Sequence, residues 1–440
     1  MEAEESIISA ILLDNSTLLD VVEILAPDDF YVTKHQIIYK SITSLFTKSE
    51  PIDLITLTNE LKQKGQLEEI GGATYLSKIY DTAPLPSNAE HYAKIIRDKS
   101  SLRKLILKAN SIVQRCFEEG GDVESIIDFA ENAVFEVADS KVKSSFSSIG
   151  ELIDKNIDTL EKAKGNETGI TGIPTGYKNL NKLTSGFQNS DLIIIAARPS
   201  MGKTAFALNL ARNVAVDANI PVALFSLEMS KEQLSMRLLT SEARVDSARL
   251  KSGFTTNDDW ANITNAAGVL DQSPIFIDDT FNISTMEIRA KARRLKMESD
   301  LGLIIIDYIQ LMKTSTRQDR RDLEIAEMSR SLKGLAKELN IPIIALSQLN
   351  RMLEQRAEKR PMLSDLRESG SLEQDADIVA FIYRDEVYNK EESNPNKGKA
   401  EIILSKNRNG ATGTAFMSFI GKYTRFEELA HGEYPEYSEN

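Results

Sequence analysis

The sequence predicts two architectures in one chain: an all-α N-terminal domain over residues 1–140 and a C-terminal α/β domain with a largely parallel sheet over residues 172–440. Three observations carry this prediction. In the first part, apolar residues recur at helical spacing in amphipathic stretches broken by "APDD", "KSEPID" and "TAPLPSN". In the second, short apolar runs alternate with helical segments: "DLIIIAA", "PVALFSLE", "PIFIDD", "LGLIIIDY", "IPIIALSQ", "DIVAFIYR" and "KAEIILSKNR". Such runs suit strands buried on both faces, hence a parallel sheet covered by helices. The first of them leads into "RPSMGKT" and the helical "KTAFALNLARNVA", the strand–loop–helix setting of a phosphate-binding loop.

Composition agrees with two folded domains. A chain of 440 residues exceeds one ordinary core, and a 41% hydrophobic content supplies material for more than one. The single cysteine, Cys116, excludes an internal disulfide framework, and the scattered His35, His91 and His431 argue against a zinc cluster. No run of about eighteen apolar residues is present and the N-terminus is acidic, so a soluble, cytoplasmic protein is expected. The net charge of -13 argues against nucleic acid at first sight, yet phosphate contacts are local and few.

In chain order, "EAEESIISAILLD" places Ile7, Ile8, Ile11 and Leu12 at helical spacing behind an acidic first turn. The helical part holds no cluster of catalytic residue types, which predicts a bundle used for assembly or docking. Residues 141–171 form a linker: "SKVKSSFSSIGE" turns to serine and lysine, and "GELIDKNIDTLEKAKGN" returns to helical periodicity. Further on, Ile325, Met328, Leu332, Leu335 and Leu339 make a helical stripe, read as core.

The loop "AARPSMGKT" has Ala197 where the usual pattern starts with glycine. Pro199 fixes its own φ and pushes Arg198 toward extended geometry, so the loop is expected to work with negative φ at Ala197. The expected nucleotide contacts run through Ala197, Arg198, Pro199, Ser200, Met201, Gly202, Lys203, Thr204 and Ala205. Lys203 would reach the β- and γ-phosphates of ATP and the Thr204 hydroxyl would bind Mg²⁺, with Gly202 leaving room for the phosphates.

Asp307 ends the strand "LIIID" and is the expected magnesium partner. Tyr308 follows it, so the base for the attacking water is assigned to Glu228, at the end of "PVALFSLE". Parallel strands bring Ala197, Glu228 and Asp307 to one carboxyl edge, where open α/β sheets bind ligands. The competing reading of Glu228 is a cap for the helix after "SLEMS". Gln348, ending "IPIIALSQ", is either a γ-phosphate sensor or an ordinary polar strand end, and Asp278 and Asp279 read as loop solvation.

"RPSMGKT", "SLEMS", "IIIDYIQLM", "ALSQLNR", "DLRESGSLEQDADIV" and "SKNRNGATG", in this order over residues 198–413, closely resemble the DnaB-type replicative DNA helicases. "EAEESIISAILLD" and "DFYVTKHQIIY" resemble that family's helical N-terminal domain, so nearly the whole chain is covered. Alanine at position 197 is usual in the family. The start at "EAEES", without a polar tail, suggests a shorter, phage-encoded member.

The resemblance implies a RecA-like P-loop ATPase fold and a ring of six subunits with ATP between neighbours. It implies Walker A roles for Lys203 and Thr204, the catalytic glutamate at Glu228, Walker B at Asp307 and the sensor at Gln348. It places a phosphate-contacting arginine at Arg237. Lys406 and Arg408 would be the basic pair supplied by the adjacent subunit, Arg408 being the arginine finger. The two alternate along "KAEIILSKNR" and share a face, and Asn409-Gly410 reads as a tight turn.

For DNA, the resemblance implicates Arg367, Glu368 and Gly370 in a loop that follows the single-strand backbone. Backbone N–H groups near Gly370 plus Arg367 would hold a phosphate without reading bases. "RMLEQRAEKR" is either a further basic contribution or a solvated charge run. The expected activity is ATP-driven, 5′-to-3′ unwinding of forked DNA, with primase and a helicase loader as partners. The rivals are a strand-exchange recombinase and a regulatory RecA-like ATPase without a nucleic-acid motor.

Overall fold

In the computed structural model the described residues are 1–82, 88–117, 169–313 and 321–429, with 123, 126, 127, 129, 130, 133, 134, 137, 149, 150, 153 and 157. The chain divides into two compact units, Met1–Leu152 and Ile153–Asn440. Most of the expected linker, residues 141–171 with its helix, lies outside the described residues.

The first unit is helical, as the sequence predicts. Its helices include α1 (Glu2–Leu13), α2 (Thr17–Val22), α3 (Thr33–Thr47), α4 (Leu54–Gln63), α5 (Leu67–Ile70), α6 (Gly72–Tyr80) and α7 (Ala89–Phe117). Ile7, Ile8 and Ile11 of α1 are fully buried against Ile38 and Ile42 of α3 and Leu57 and Leu61 of α4 in one core. That core also takes in charge. Glu4, nearly fully buried, accepts the backbone N–H of Tyr31 at 2.6 Å and pairs with His35 Nδ1 at 2.7 Å. His35 Nε2 lies 2.9 Å from the Tyr75 hydroxyl. This buried polar relay is absent from the sequence reading, which sees no such cluster because its members stand in three separate elements.

The second unit is built on one nine-stranded sheet in the order β3-β2-β4-β5-β1-β6-β7-β8-β9. The strands are β1 (Leu192–Ala197), β2 (Val222–Ser226), β3 (Ile275–Asp278), β4 (Leu303–Asp307), β5 (Ile343–Gln348), β6 (Ile378–Tyr383), β7 (Lys399–Asn407), β8 (Gly413–Ile420) and β9 (Arg425–Glu428). The first six pair in parallel; β6–β7, β7–β8 and β8–β9 are antiparallel.

Both faces of the parallel part are covered. Ile193, Ile195 and Ala197 of β1 enter one core, and Leu192, Ile194 and Ala196 enter the other. The helices that cover it include α8 (Lys178–Thr184), α9 (Lys203–Arg212), α10 (Lys231–Ala243), α11 (Ser247–Ser252), α12 (Asn257–Asp271), α13 (Thr285–Ser299), α14 (Arg321–Leu339), α15 (Gly370–Asp375) and α16 (Asp385–Tyr388). The stripe read as core is core: Ile325, Met328, Leu332 and Leu335 of α14 are buried.

Three details differ from the sequence reading. β7 is not buried on both faces: Ala400, Ile402 and Leu404 point inward and their neighbours are half-exposed, as in an antiparallel strand with one covered face. β9, "RFEE", is too polar to register as an apolar run. Asn409-Gly410 is not a left-handed two-residue turn, since Gly410 has no positive φ and the β7–β8 pairing ends at Leu404 and Gly413. A side chain there would be crowded, because a Cβ would stand 2.6 Å from Asn407 Nδ2 and 3.1 Å from the Leu183 carbonyl, so Asn407 would have to move aside.

Candidate nucleotide site

The sheet register fixes the site. β1 ends at Ala197 opposite Gln348 of β5, and β2 ends at Ser226 opposite Asp307 of β4. Glu228 follows two residues beyond Ser226, so the loop, both carboxylates and Gln348 share the carboxyl edge that the sequence predicts. There, Ala197, Arg198, Pro199, Ser200, Gly202, Lys203, Thr204, Ala205, Glu228, Arg237 and Gln348 line one cavity of about 340 Å³.

The loop keeps Ala197 in strand geometry. Its left-handed residues are Ser200 (φ 70°) and Gly202 (φ 96°), so negative φ at Ala197 holds. The reason for Gly202 is sharper than room for phosphates. Its φ is one that side chains rarely adopt, and a Cβ would meet the Phe426 ring at 3.0 Å. Ser200 carries the second left-handed turn without being glycine, which no pattern in the sequence signals.

Two of the expected contacts turn their side chains elsewhere. Arg198 is buried, with its guanidinium on Glu354 at 2.7 Å and on the Leu349 carbonyl at 2.7 Å. Met201 is buried in the core beneath the loop. Both can offer a nucleotide only backbone.

Lys203 and Thr204 open α9 with their side chains at Asp307. The Thr204 hydroxyl donates to Asp307 Oδ2 at 2.6 Å, and Lys203 Nζ stands 3.6 Å from Oδ1 and 4.2 Å from the Tyr308 ring centroid. Burial pulls the Lys203 ammonium below the ordinary lysine value, against the opposing pull of the Asp307 and Glu228 carboxylates. Asp307 Oδ1 is buried without a hydrogen-bond partner. A buried carboxylate beside a threonine hydroxyl, with one oxygen that accepts no hydrogen bond, fits a hard divalent cation.

Glu228 is exposed to the cavity and does not cap the next helix. Ser230 does, accepting the Gln233 N–H at 3.4 Å. Asp278 and Asp279 are not merely solvated: Asp278 takes Lys291 Nζ at 2.7 Å, and Asp279 takes the Lys231 backbone N–H at 3.1 Å at the start of α10. Next to Gln348, Gln310 in the turn after β4 donates from Nε2 to Ser347 Oγ at 2.8 Å.

The cavity also has a wall that the sequence reading missed: Arg384, Phe419 and Thr424. Arg384 lies over the Phe419 ring at 3.7 Å and donates to the Ser200 carbonyl at 3.2 Å, bracing the left-handed turn. It stands just past β6, a parallel strand whose carboxyl edge is the same edge, and that signal was available. Phe419 and Thr424 come from the antiparallel extension, where no motif marks them.

Lys406 and Arg408 are not at this cavity. β7 runs back against β6, so they emerge at the opposite edge of the sheet, where the Arg408 N–H bonds the Asp377 carbonyl at 2.9 Å. A six-residue strand such as β1 spans roughly 20 Å. Gly370 is the exposed first residue of α15; the side chains of Arg367 and Glu368 lie outside the described residues. The run "RMLEQRAEKR" is less free than its charge suggests: Arg356 holds Asp365 at 2.8 Å, and Arg360 pairs with Glu401.

Both units have counterparts among known proteins. Residues 172–428 match the DnaB-like helicase C terminal domain and residues 1–98 the DnaB-like helicase N terminal domain. The chain is 49% identical over 430 residues to the replicative DNA helicase DnaB of Geobacillus stearothermophilus, covering 98% of this chain and 94% of that one. It is equally similar, 49% over 430 residues, to the replicative DNA helicase DnaC of Bacillus subtilis, with the same coverage of 98% and 94%. Among solved structures, a DnaB-like replicative helicase described with its interactions with primase superposes at TM-score 0.76 with 34% identity, over 98% of this chain and 100% of the other. A second solved structure, an ATPase domain, superposes at TM-score 0.61 with 40% identity, over 65% of this chain and 100% of its own.

Proposed function

Since the chain belongs to the DnaB-like helicases, we propose that its cavity binds the phosphates of ATP and that a neighbouring copy of the chain completes the site from its own opposite sheet edge. The protein is a replicative DNA helicase driven by ATP; the recombinase and the non-motor ATPase readings give way to that.

Lys203 and the loop N–H groups hold the β- and γ-phosphates at the start of α9. Thr204 and Asp307 hold Mg²⁺, which supplies charge neutralisation on the phosphate oxygens when bound. Glu228 orients and deprotonates the attacking water, Gln348 touches the γ-phosphate, and Arg237 reaches in from α10. The single observation that carries the shared site is the strand direction. The phosphate loop and Arg408 lie at opposite edges of one sheet, a strand length apart, so Arg408 serves a different subunit's nucleotide.

Closure of such a chain of contacts gives a ring, and six subunits agree with the family. Residues near Gly370 follow single-stranded DNA through the ring without reading bases, moving 5′ to 3′. A basic channel inside an acidic exterior reconciles DNA binding with the net charge of -13. The helical unit docks primase, a loader places the ring on DNA, and the work is done in the cytoplasm.

The test is ATP hydrolysis with and without single-stranded DNA, together with unwinding of a forked duplex. Stimulation and unwinding are expected. Hydrolysis indifferent to DNA, with no unwinding, sinks the reading.

A further inference from the structure

The crossover between β5 and β6 joins the two edges of the sheet. It leaves the nucleotide edge at Gln348, passes through Gly370 and α15, and enters β6 at the opposite edge. At that edge the cationic pair grips it. Lys406 Nζ donates to the carbonyls of Glu373 and Gln374, at 2.5 and 3.3 Å. Arg408 Nη2 donates to the Gln374 carbonyl at 2.5 Å, and Nη1 to Asp377 Oδ1 at 3.3 Å. The acceptors are the last carbonyls of a helix, where partial negative charge collects and cations are favoured.

Asp377 anchors the assembly. It is buried, accepts the Leu192 N–H at 2.8 Å at the root of β1, and pairs with Lys333 of α14. Its own N–H bonds the Leu192 carbonyl at 2.9 Å, and its carbonyl accepts the Arg408 N–H at 2.9 Å. Arg408 is thus held by side chain and backbone at one residue, which itself is fixed to the strand that leads into the phosphate loop.

We propose that Lys406, Arg408, Asp377 and the carbonyl end of α15 form a clasp that passes single-stranded DNA contact near Gly370 to the cationic pair presented to the neighbouring subunit. This rests on the reading of Gly370 as a DNA contact and of Arg408 as the finger. DNA that holds the start of α15 also holds Glu373 and Gln374, and through them fixes where Lys406 and Arg408 point. Asp377 is a positioning residue in this device. It touches no nucleotide and acts through Arg408.

Amide hydrogen exchange of the full chain, with ADP present throughout and an oligothymidine strand added or omitted, tests the clasp. Residues 363–376 and 404–411 are expected to gain protection together when the strand is added. In the double variant Lys406→Met with Arg408→Met, the first segment should keep its gain and the second should lose it. Protection confined to 363–376 in the unmodified chain overturns the clasp while leaving the DNA reading intact. No protection near Gly370 overturns both.

A kinetic arm uses Asp377→Asn, which keeps an acceptor for the Leu192 N–H and removes the charge that holds Arg408. Stimulation of hydrolysis by the strand should fall about tenfold, with KM for ATP and strand affinity unchanged. An unaltered stimulation ratio rejects the role. Lys333→Met, which spares the Asp377–Arg408 contact, should stay near the unmodified ratio; a loss as large as that of Asp377→Asn would mark the cluster as structural and overturn the proposal.

Discussion

The Thr204 hydroxyl donates to Asp307 Oδ2 at 2.6 Å across 103 residues of sequence, and the other oxygen of that carboxylate is buried without a hydrogen-bond partner. A magnesium ion takes oxygen ligands, one or two carboxylates among them, and this hydroxyl and carboxylate stand together at the cavity. Asp307→Asn keeps the size and removes the charge. Turnover in saturating Mg²⁺ should fall on the order of 100-fold or more, with nucleotide still bound. A steady-state assay over a magnesium titration checks this, and turnover within a few-fold of normal would reject the assignment.

Glu228 faces the same cavity and is released from capping duty by Ser230. Glu228→Gln should therefore bind ATP normally and hydrolyse it on the order of 100-fold more slowly. Nucleotide binding followed by fluorescence, beside single-turnover hydrolysis, separates the two effects. Near-normal hydrolysis removes Glu228 as the base.

Gly202→Ala asks an alanine to adopt φ near 96° with its Cβ 3.0 Å from the Phe426 ring. The strain should cost about 1–3 kcal/mol and disturb the phosphate loop itself. Thermal melting and ATP affinity should both fall. Ala197→Gly, where strand geometry asks nothing special of the backbone, should leave ATP affinity within about threefold of normal, roughly 0.6 kcal/mol.

In the helical unit, burial pushes the Glu4 carboxyl up, but the hydrogen bonds from His35, Tyr31 and Val32 outweigh it and the net shift is downward. A carboxylate with a lowered folded value stabilises above its unfolded value near 4.5 and loses that contribution as pH falls through the folded one. Glu4→Gln should therefore flatten the acid side of the stability curve below that value, read by amide exchange in α1 and α3. An acid limb identical to that of the unmodified chain would contradict the account.

Asp191 has the opposite sign. Burial, then the neighbouring Asp377 charge, raises its carboxyl to about 6. Its stabilising contribution is complete below the unfolded value of 3.8 and is lost as pH rises through about 6. Asp191→Asn should remove that loss and melt roughly 2–4 °C higher than the unmodified chain at neutral pH. Equal melting temperatures on both sides of pH 6 would count against it.

Much of this was legible in the sequence, and the reasons differ by element. Runs such as "DLIIIAA" announce strands buried on both faces because each residue, not every second one, must be apolar. The carboxyl-edge rule then brings Ala197, Asp307 and Glu228 together without any coordinates. Polar strands give no such signal, so β9 went unseen, and with it the Phe426 ring that sits beneath Gly202. Arg198 illustrates a second limit. A charged residue inside a phosphate-binding loop reads as a phosphate contact, while its actual partner, Glu354, lies far along the chain in the run "RMLEQRAEKR", which reads as a charge run and not as a partner for the loop. The Glu4–His35–Tyr75 relay was invisible for the same reason: spacing reports faces of single elements, not meetings between them.

The reversal of strand direction after β6 has an arithmetic consequence. With the phosphate loop at one edge and Arg408 at the other, the proposed sharing of Arg408 with a neighbour gives each chain one half of two different catalytic centres and the whole of none. An open row of such chains has one fewer working centre than it has chains, with an unused half stranded at each end. Joining the ends creates a centre without adding protein. Hydrolysis per chain is then a head-count of closure, and a gap opened to admit DNA would show itself as one missing engine in the row.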